Sequence, residues 1–413
     1  MTEPTGNHQK ESRPKSLDVV SWRLPTKDEL REFLERPRTH TEKDGRKRSA
    51  ALAVRHHLSP VDVYCYLKAR FGEPNGFQNC LRADHSDNWI HWDFNLRAGD
   101  EDVYISGKSR EIDILISVEM TDEDWRDLLV SIKADYQRVA NEKSAVLKSL
   151  EQWVLFPNKY VEIASVCADL HGDLVENVGG YRTYKTPSES RATPDELKAE
   201  LDKLFERSRI VHRSSLQLSL LTPVLAESFI NMVVLTLCKP AVRNNKRQFE
   251  AFVRANIDAK LFDLAYKCEG FARTLDPNED VYKAFKRVMD KRNNSIHGNC
   301  DPQREQIELV YFDGTRPLFK VPGDHIGKYL ETQERQYQPE IVIEDYETTH
   351  RFLAYLVSCL EPSVSAGFTG IIEARYPGYE IGRQKMGVLF PDRVVVGRME
   401  GVKYDDDLPV WDE

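Results

Sequence analysis

Residues 292–298, R-N-N-S-I-H-G, hold the side chains that proton transfer beside an anion requires. The helix predicted to lead into them carries an apolar stripe through Val281, Phe285 and Val288. The next position in that stripe is Arg292, so a guanidinium stands where a core residue is due. Because a buried guanidinium is costly without a partner, we expect the end of the stripe to face a polar pocket, an interface or an anion.

His297 follows in the last turn of this helix, and Gly298 is a typical helix stop. On a straight helix positions 292 and 297 lie about 140° apart, whereas Asn293 and His297 share a face. Arg292 must therefore reach round the helix, or the two groups must meet across a dimer. Either geometry places a fixed cation and a titratable imidazole beside one anion. The helix C-terminus favours protonated histidine by about 0.3–1 kcal/mol, which suits a proton donor near neutral pH.

This segment resembles the R-polar-xxx-H motif of HEPN domains, in the RNxxxHG form common among abortive-infection and toxin-like members. The earlier helix PVLAESFINMVVLTL is similar to the first long helix of such domains. The resemblance covers about residues 195–361 and does not extend to the N-terminal half. It implies an all-α bundle that dimerises with its two motifs facing each other. It also implies metal-independent RNA cleavage, in which the ribose 2′-OH attacks the adjacent phosphate and leaves a 2′,3′-cyclic phosphate.

By the same resemblance, His297 serves as general acid or base, Arg292 holds the phosphate and stabilises its developing charge, and Asn293 positions them. Glu227 is a further catalytic candidate, since it lies in a helix that is apolar on nearly every side, where a lone carboxylate is costly. Arg292 is its expected buried partner, and Asn231 completes the polar cluster. A surface-facing or structurally paired carboxylate explains Glu227 equally well.

Positive charge must be gathered locally if RNA is the partner, because the whole chain has a net charge of −9 and a pI near 5.8. We assign RNA binding to Lys246, Arg247 and Lys291 in the helical half, although solvated helix faces account for them equally well. Spacing alone proves little, since Arg207 and His212 repeat the R-x4-H form. That copy is predicted to precede a helix start, and it lacks the asparagine and the glycine.

We expect no cofactor and no metal. His91 and Asp93 share one side of a predicted strand, as any polar face of a half-buried sheet does. Asp113 and Glu119 lack the lysine of a metal-dependent nuclease core. The seven cysteines contain no CxxC pair, which argues against a zinc site and a disulfide framework.

No membrane partner is expected either. The longest apolar run, residues 230–237, falls far short of the roughly 20 residues that span a bilayer. The polar N-terminus lacks the apolar region of a signal peptide. We therefore expect a cytoplasmic protein.

Periodicity predicts an α+β N-terminal domain, then a mainly α-helical C-terminal domain, a HEPN-like bundle by resemblance, with a β-hairpin insertion around Gly314. Residues 90–96 and 112–118 alternate like half-buried strands, residues 160–168 are expected to return to the sheet, and Thr222-Pro223 is expected to start a helix. The predicted divisions are a charged, partly flexible arm (1–54), an α+β domain that senses a trigger (55–175), a linker (176–194), the HEPN-like helical domain (195–361) and a C-terminal extension with an acidic end (362–413).

Two functions from different classes fit these observations. The first is a HEPN-type endoribonuclease, a toxin or anti-phage abortive-infection effector that acts as a homodimer and answers a phage-derived or regulatory trigger. The second is a catalytically inactive HEPN-like dimeric scaffold or binding module. The defence role is implied by the resemblance alone.

Overall fold

The structure is a computed structural model. It describes residues 13–35, 50–81, 89–181, 193–296, 302, 306, 308–320, 322, 325–390, 398–399 and 401–409. The chain divides into two compact units, the first formed by residues 1–152 and 390–413 and the second by residues 153–389. The predicted fold class is confirmed at the level of a mixed α/β N-terminal region and a mainly helical C-terminal half.

In the described part of the first unit, the strands are Ala50–Val54 (β1), Trp92–Ala98 (β2), Glu101–Gly107 (β3) and Ile112–Ile116 (β4). They pair antiparallel in the order β1-β4-β3-β2. The helices of this unit are Lys27–Glu35 (α1), Pro60–Phe71 (α2), Phe77–Leu81 (α3), Asp122–Asp135 (α4) and Ala140–Ser149 (α5).

One apolar core joins the sheet to α2 and α4. The alternation predicted for β4 is confirmed, because Ile112, Ile114 and Ile116 are buried whereas Leu115 is exposed. Helix α4 begins where its sequence indicates, since Thr121 forms a capping box at its N-terminus. This core depends on ordinary burial of alternating and helical apolar faces.

The predicted arm of residues 1–54 needs correction, because its end is part of the sheet. β1 pairs with β4 along its full length, from Ala50 opposite Ile116 to Val54 opposite Ile112. The apolar run of β1 is only five residues long, and its partner strand is about 60 residues away, so periodicity within a window does not detect it.

The acidic end of the predicted extension 362–413 belongs to the first unit, where it makes a buried structural contact through Asp405. The carboxylate of Asp405 is fully buried. It accepts hydrogen bonds from the backbone N–H groups that follow β1, at 3.0 Å from Arg55, 2.9 Å from His56 and 2.9 Å from His57. Burial alone would raise the pKa of Asp405, but these bonds to its charged form prevail and hold the pKa below its ordinary value.

The second unit is mainly helical in its described part. Its helices are Lys159–Tyr181 (α6), Pro194–Leu237 (α7), Pro240–Arg243 (α8), Lys246–Arg254 (α9), Ile257–Lys267 (α10), Asp280–Ile296 (α11), His325–Tyr337 (α12), Pro339–Ser358 (α13) and Pro362–Glu373 (α14). Its strands are Trp153–Leu155 (β5), Val310–Asp313 (β6), Arg316–Phe319 (β7), Gly378–Glu380 (β8) and Lys385–Gly387 (β9). β5, β8 and β9 form one small sheet, and β6 and β7 form the predicted hairpin.

Residues 160–168 do not return to the sheet, as they form the first part of α6. Tyr160, Cys167 and Leu174 recur at helical spacing and pack into an apolar cluster with α7. The predicted boundary at residue 175 therefore moves back to residue 152, and residues 176–181 of the predicted linker are helical. Residues 362–389 of the predicted extension also belong to this unit, with α14 in its core.

The helix start predicted at Thr222-Pro223 is wrong, because α7 runs through this dipeptide as one helix of 44 residues. Its observed start is at Thr193, which forms a capping box with Glu196. Pro223 removes one backbone hydrogen bond, but Leu218 and Leu225 around it are fully buried. The packing of α7 in the core thus outweighs the local proline signal.

Helix α7 is also long and apolar enough to cross a membrane by length and composition, which the apolar run of residues 230–237 alone did not predict. Half of its most apolar window is buried inside the protein. A central helix in a helical bundle has the same composition, because it is covered by neighbouring helices on most sides.

We predict that Asp405→Ala lowers the free energy of unfolding of the first unit by about 2–3 kcal/mol, because three backbone donors lose a charged acceptor. Since the folded pKa is lowered, this stabilisation is present above the ordinary value of 3.8 and is lost as the pH falls through the folded pKa. Denaturant titrations followed by tryptophan fluorescence measure the loss. Asp406→Ala is the control, because that half-exposed carboxylate pairs with Arg398 at the surface. Equal effects of the two substitutions would contradict the assignment.

Candidate active site

Helix α11 carries the predicted motif, and its apolar face fixes the orientation of the helix. Phe285, Val288 and Met289 are buried, and Phe285 and Met289 belong to the apolar core that α11 shares with α7 and α13. The ring of Phe285 stacks on Phe352 of α13 with 3.9 Å between centroids. At 100° per residue, position 292 continues the line of these residues along the helix.

The motif itself lies at the limit of the described chain. The backbone is helical through Ile296, which confirms that Arg292 and Asn293 stand in the last turns of an amphipathic helix. Nothing more is described for these two residues than their place in the helix. His297 and Gly298 lie outside the described residues. The proposed meeting of guanidinium and imidazole therefore remains a prediction.

Glu227 and Asn231 stand one turn apart on α7, and the structure places a third polar group beside them. Lys260 of α10 is 7% exposed, and its Nζ donates to Oδ1 of Asn231 at 2.8 Å. Burial lowers the pKa of Lys260, and the negative charge of the half-buried Glu227 offsets part of that effect. Glu227, Asn231 and Lys260 thus form a polar cluster on α7 and α10 in which Lys260 was not predicted, and the membership of Arg292 stays a prediction.

The sequence does contain a signal for Lys260. It stands between Ile257 and Leu264 at helical spacing, so a cation occupies the apolar stripe of α10 just as Arg292 occupies that of α11. The expected pairing of Glu227 with Arg292 remains untested, but Lys260 gives Glu227 a cationic neighbour in any case.

The three predicted RNA-binding residues lie on two helices. Lys246 and Arg247 are exposed in the first turn of α9, where Asn245 caps the helix. Lys291 is on α11, and its Nζ lies 2.9 Å from both carboxylate oxygens of Asp345. A phosphate at Lys291 would therefore compete with an internal ion pair, whereas α9 presents its two cations to solvent.

The second R-x4-H copy lies inside α7 and does not precede a helix start, so that expectation is corrected. Arg207 is exposed, and the ring of His212 packs against Tyr337. Burial lowers the pKa of His212. This copy therefore has a structural explanation, which makes it a suitable control for the motif on α11.

The residues weighed as metal ligands have other partners. The buried carboxylate of Asp93 accepts from the backbone N–H of Gln78 at 2.9 Å. The ring Nε2 of His91 lies 3.0 Å from the hydroxyl of Ser109. Asp113 pairs with the ammonium of Lys108 at 2.7 Å. These contacts account for the residues as parts of the sheet and its loops.

His56, Asp405 and Asp406 are the one group with metal-ligand spacing among the residues that the structure describes. The carboxylate of Asp405 is already engaged by backbone donors, so this group gives no argument for a metal.

Comparisons of the chain with protein-family models, with curated proteins and with solved structures find no match.

We predict that Lys260→Met lowers the free energy of unfolding by about 1–3 kcal/mol, because Asn231 loses its donor and Glu227 its neighbouring cation. Because the folded pKa of Lys260 is lowered, the wild type gains stability relative to Lys260→Met as the pH rises through that pKa toward 10.5. Denaturant titration at several pH values measures both effects.

Lys246→Met is the matched control, because that side chain is 90% exposed, and we expect a change within about 0.5 kcal/mol. A Lys260→Met protein that is more stable than the wild type would contradict the cluster, since it would show that Asn231 and Glu227 do not need the lysine as a partner.

Proposed function

We propose that the protein is a metal-independent endoribonuclease of the HEPN type. It acts in the cytoplasm as a homodimer, with the helical half as a HEPN-like catalytic bundle and the first unit as the sensor of a trigger. A toxin or abortive-infection role against phage belongs to this proposal and rests on the motif resemblance. The observation that carries the proposal is the burial of Phe285, Val288 and Met289 on the face of α11 that ends at position 292.

In the proposed reaction, Arg292 holds the scissile phosphate and stabilises the charge that develops on it. His297 transfers a proton as general acid or base, and Asn293 orients the reacting groups. The attacking 2′-OH belongs to the RNA, and as its oxygen bonds to phosphorus the P–O5′ bond breaks, so the next nucleotide leaves with a protonated 5′-hydroxyl. The protein supplies position, charge and proton transfer, and the proposal needs no cofactor. Lys246 and Arg247 contribute backbone binding, and their surface exposure in α9 supports that role.

The contacts of Glu227 support a second candidate, an inactive dimeric scaffold. The carboxylate has a structural explanation as the neighbour of Lys260, which is itself held by Asn231. A bundle can keep such a buried cluster after its chemistry is lost. In the catalytic account the same cluster links α7 to α10.

We predict that His297→Ala lowers the rate of RNA cleavage about 10²–10⁴-fold in the presence of a metal chelator, because the proton-transfer group is removed. Arg292→Ala should lower the rate of RNA cleavage by a comparable factor, since a charged donor to the transition state is lost. Cleavage of a labelled single-stranded RNA at fixed protein concentration gives both rates.

Arg207→Ala and His212→Ala are the controls, since they remove the same residue types at the same spacing within α7. Circular dichroism verifies that all four proteins keep their helices. Equal cleavage by His297→Ala and wild type, or cleavage only with added metal, would contradict the nuclease. A wild-type dimer that cleaves no RNA would favour the scaffold.

A further inference from the structure

Among the described residues, side chains on both faces of the hairpin of β6 and β7 are exposed. Phe312 is 68% exposed, Phe319 60%, Leu318 54% and Tyr311 50%. Val310, Phe312, Pro317 and Phe319 share one face through their register, so that face is entirely apolar. A two-stranded hairpin is at best marginally stable in water, and it becomes stable when further strands extend it or a helix packs against it. The free backbone groups along the edges of the hairpin decide whether a further strand can join it.

Only one edge of this hairpin is suited to accept a strand. Because Pro317 has no N–H, Pro317 and Phe312 must form a non-hydrogen-bonded pair. In such a pair the backbone N–H and C=O groups of each residue point away from the other strand of the hairpin. The outer edge of β7 is thus interrupted by a proline. On the outer edge of β6, the N–H and C=O groups of Val310 and Phe312 point away from β7 and are in place to pair with a further strand.

We propose that β6 pairs antiparallel with β6 of a second copy of this chain, which makes a four-stranded sheet across a two-fold axis. This inference rests on the proposed function to the extent that a HEPN-type site requires two copies. The pairing places Val310 opposite the partner's Phe312 and Phe312 opposite the partner's Val310. Tyr311 then lies on the axis, opposite the partner's Tyr311.

The chemistry of β6 favours a second copy as the occupant. An antiparallel edge is its own complement under two-fold symmetry, so the same residues serve both protomers. The paired positions join a β-branched and an aromatic side chain twice, and such cross-strand pairs stabilise sheets. No like charges oppose each other at positions 310–312. The apolar face, with no basic residue on it, does not suit a nucleic acid.

Cysteine cross-linking tests the two-fold axis. In the proposed sheet the two Tyr311 residues form a non-hydrogen-bonded pair. The Cα atoms of such a pair lie about 4.5 Å apart, which is within the range that a disulfide can bridge. Mild oxidation of Tyr311→Cys, in the full chain, should therefore give a covalent dimer that a reductant reverses. Leu318→Cys on β7 is the control, because its two copies stand three strand spacings apart, about 14 Å, and should not cross-link.

Proline substitution tests the edge. Val310→Pro keeps an apolar side chain but removes the outward N–H of β6, so sedimentation should show dimerisation weakened at least about tenfold. Phe319→Pro removes the corresponding N–H of β7, whose edge Pro317 already interrupts, and should leave the dimer intact. A wild type that is monomeric, a Val310→Pro protein that dimerises as well as wild type, or equal cross-linking at 311 and 318 overturns the proposal.

Assembly and cleavage fail separately in these experiments. RNA cleavage by a protein that does not cross-link at position 311 would leave the proposed nuclease standing and reject the hairpin interface. A dimer that cross-links at position 311 and cleaves no RNA would support the interface and reject the nuclease.

Discussion

The packing of Phe285 against Phe352 is the contact on which the candidate site depends. It stacks two parallel rings 3.9 Å apart and holds α11 between α7 and α13. Because side chains on a helix rotate by a fixed angle per residue, the buried face at 285 determines the face at 292. A helix rotated by one residue would send the arginine position away from the bundle. The orientation of the motif is thus set by apolar packing two turns before it.

Two helices of the helical unit carry a cation at a position within their apolar stripe. Burial of the Lys260 ammonium costs free energy, and two groups on α7 offset part of it. These are an amide acceptor at 2.8 Å and a nearby carboxylate. The ammonium of Lys260 thus has a hydrogen-bond acceptor inside the bundle. Arg292 occupies the equivalent position on α11, at the end of the helix, where an external anion is a suitable partner. The cost of burying a cation is therefore met by an internal polar cluster at Lys260 on α10, and by a proposed anion-binding site at Arg292 on α11.

Local patterns in the sequence predicted the elements whose causes are local. The alternation of Ile112, Ile114 and Ile116 predicted a strand, and the turn residues around Gly314 predicted the hairpin that β6 and β7 form. Patterns failed where distant packing decides. Residues 160–168 contain enough apolar residues for a strand, but α7 covers a helical face of them. Asp405 binds backbone groups almost 350 residues away, a contact that no window of sequence contains. Periodicity alone does not single out Lys260, because a lysine within an apolar stripe can also extend its ammonium to solvent.

The most direct measurement of the central claim is the chemistry of the RNA ends that the protein leaves. The account predicts fragments with 2′,3′-cyclic phosphate ends, formed in the presence of a metal chelator and identified by mass spectrometry. In the proposed mechanism Arg292 and His297 provide only charge and proton transfer, so the RNA itself must supply the nucleophile. Fragments that end in a 3′-hydroxyl, or that form only when a divalent metal is added, would contradict the account.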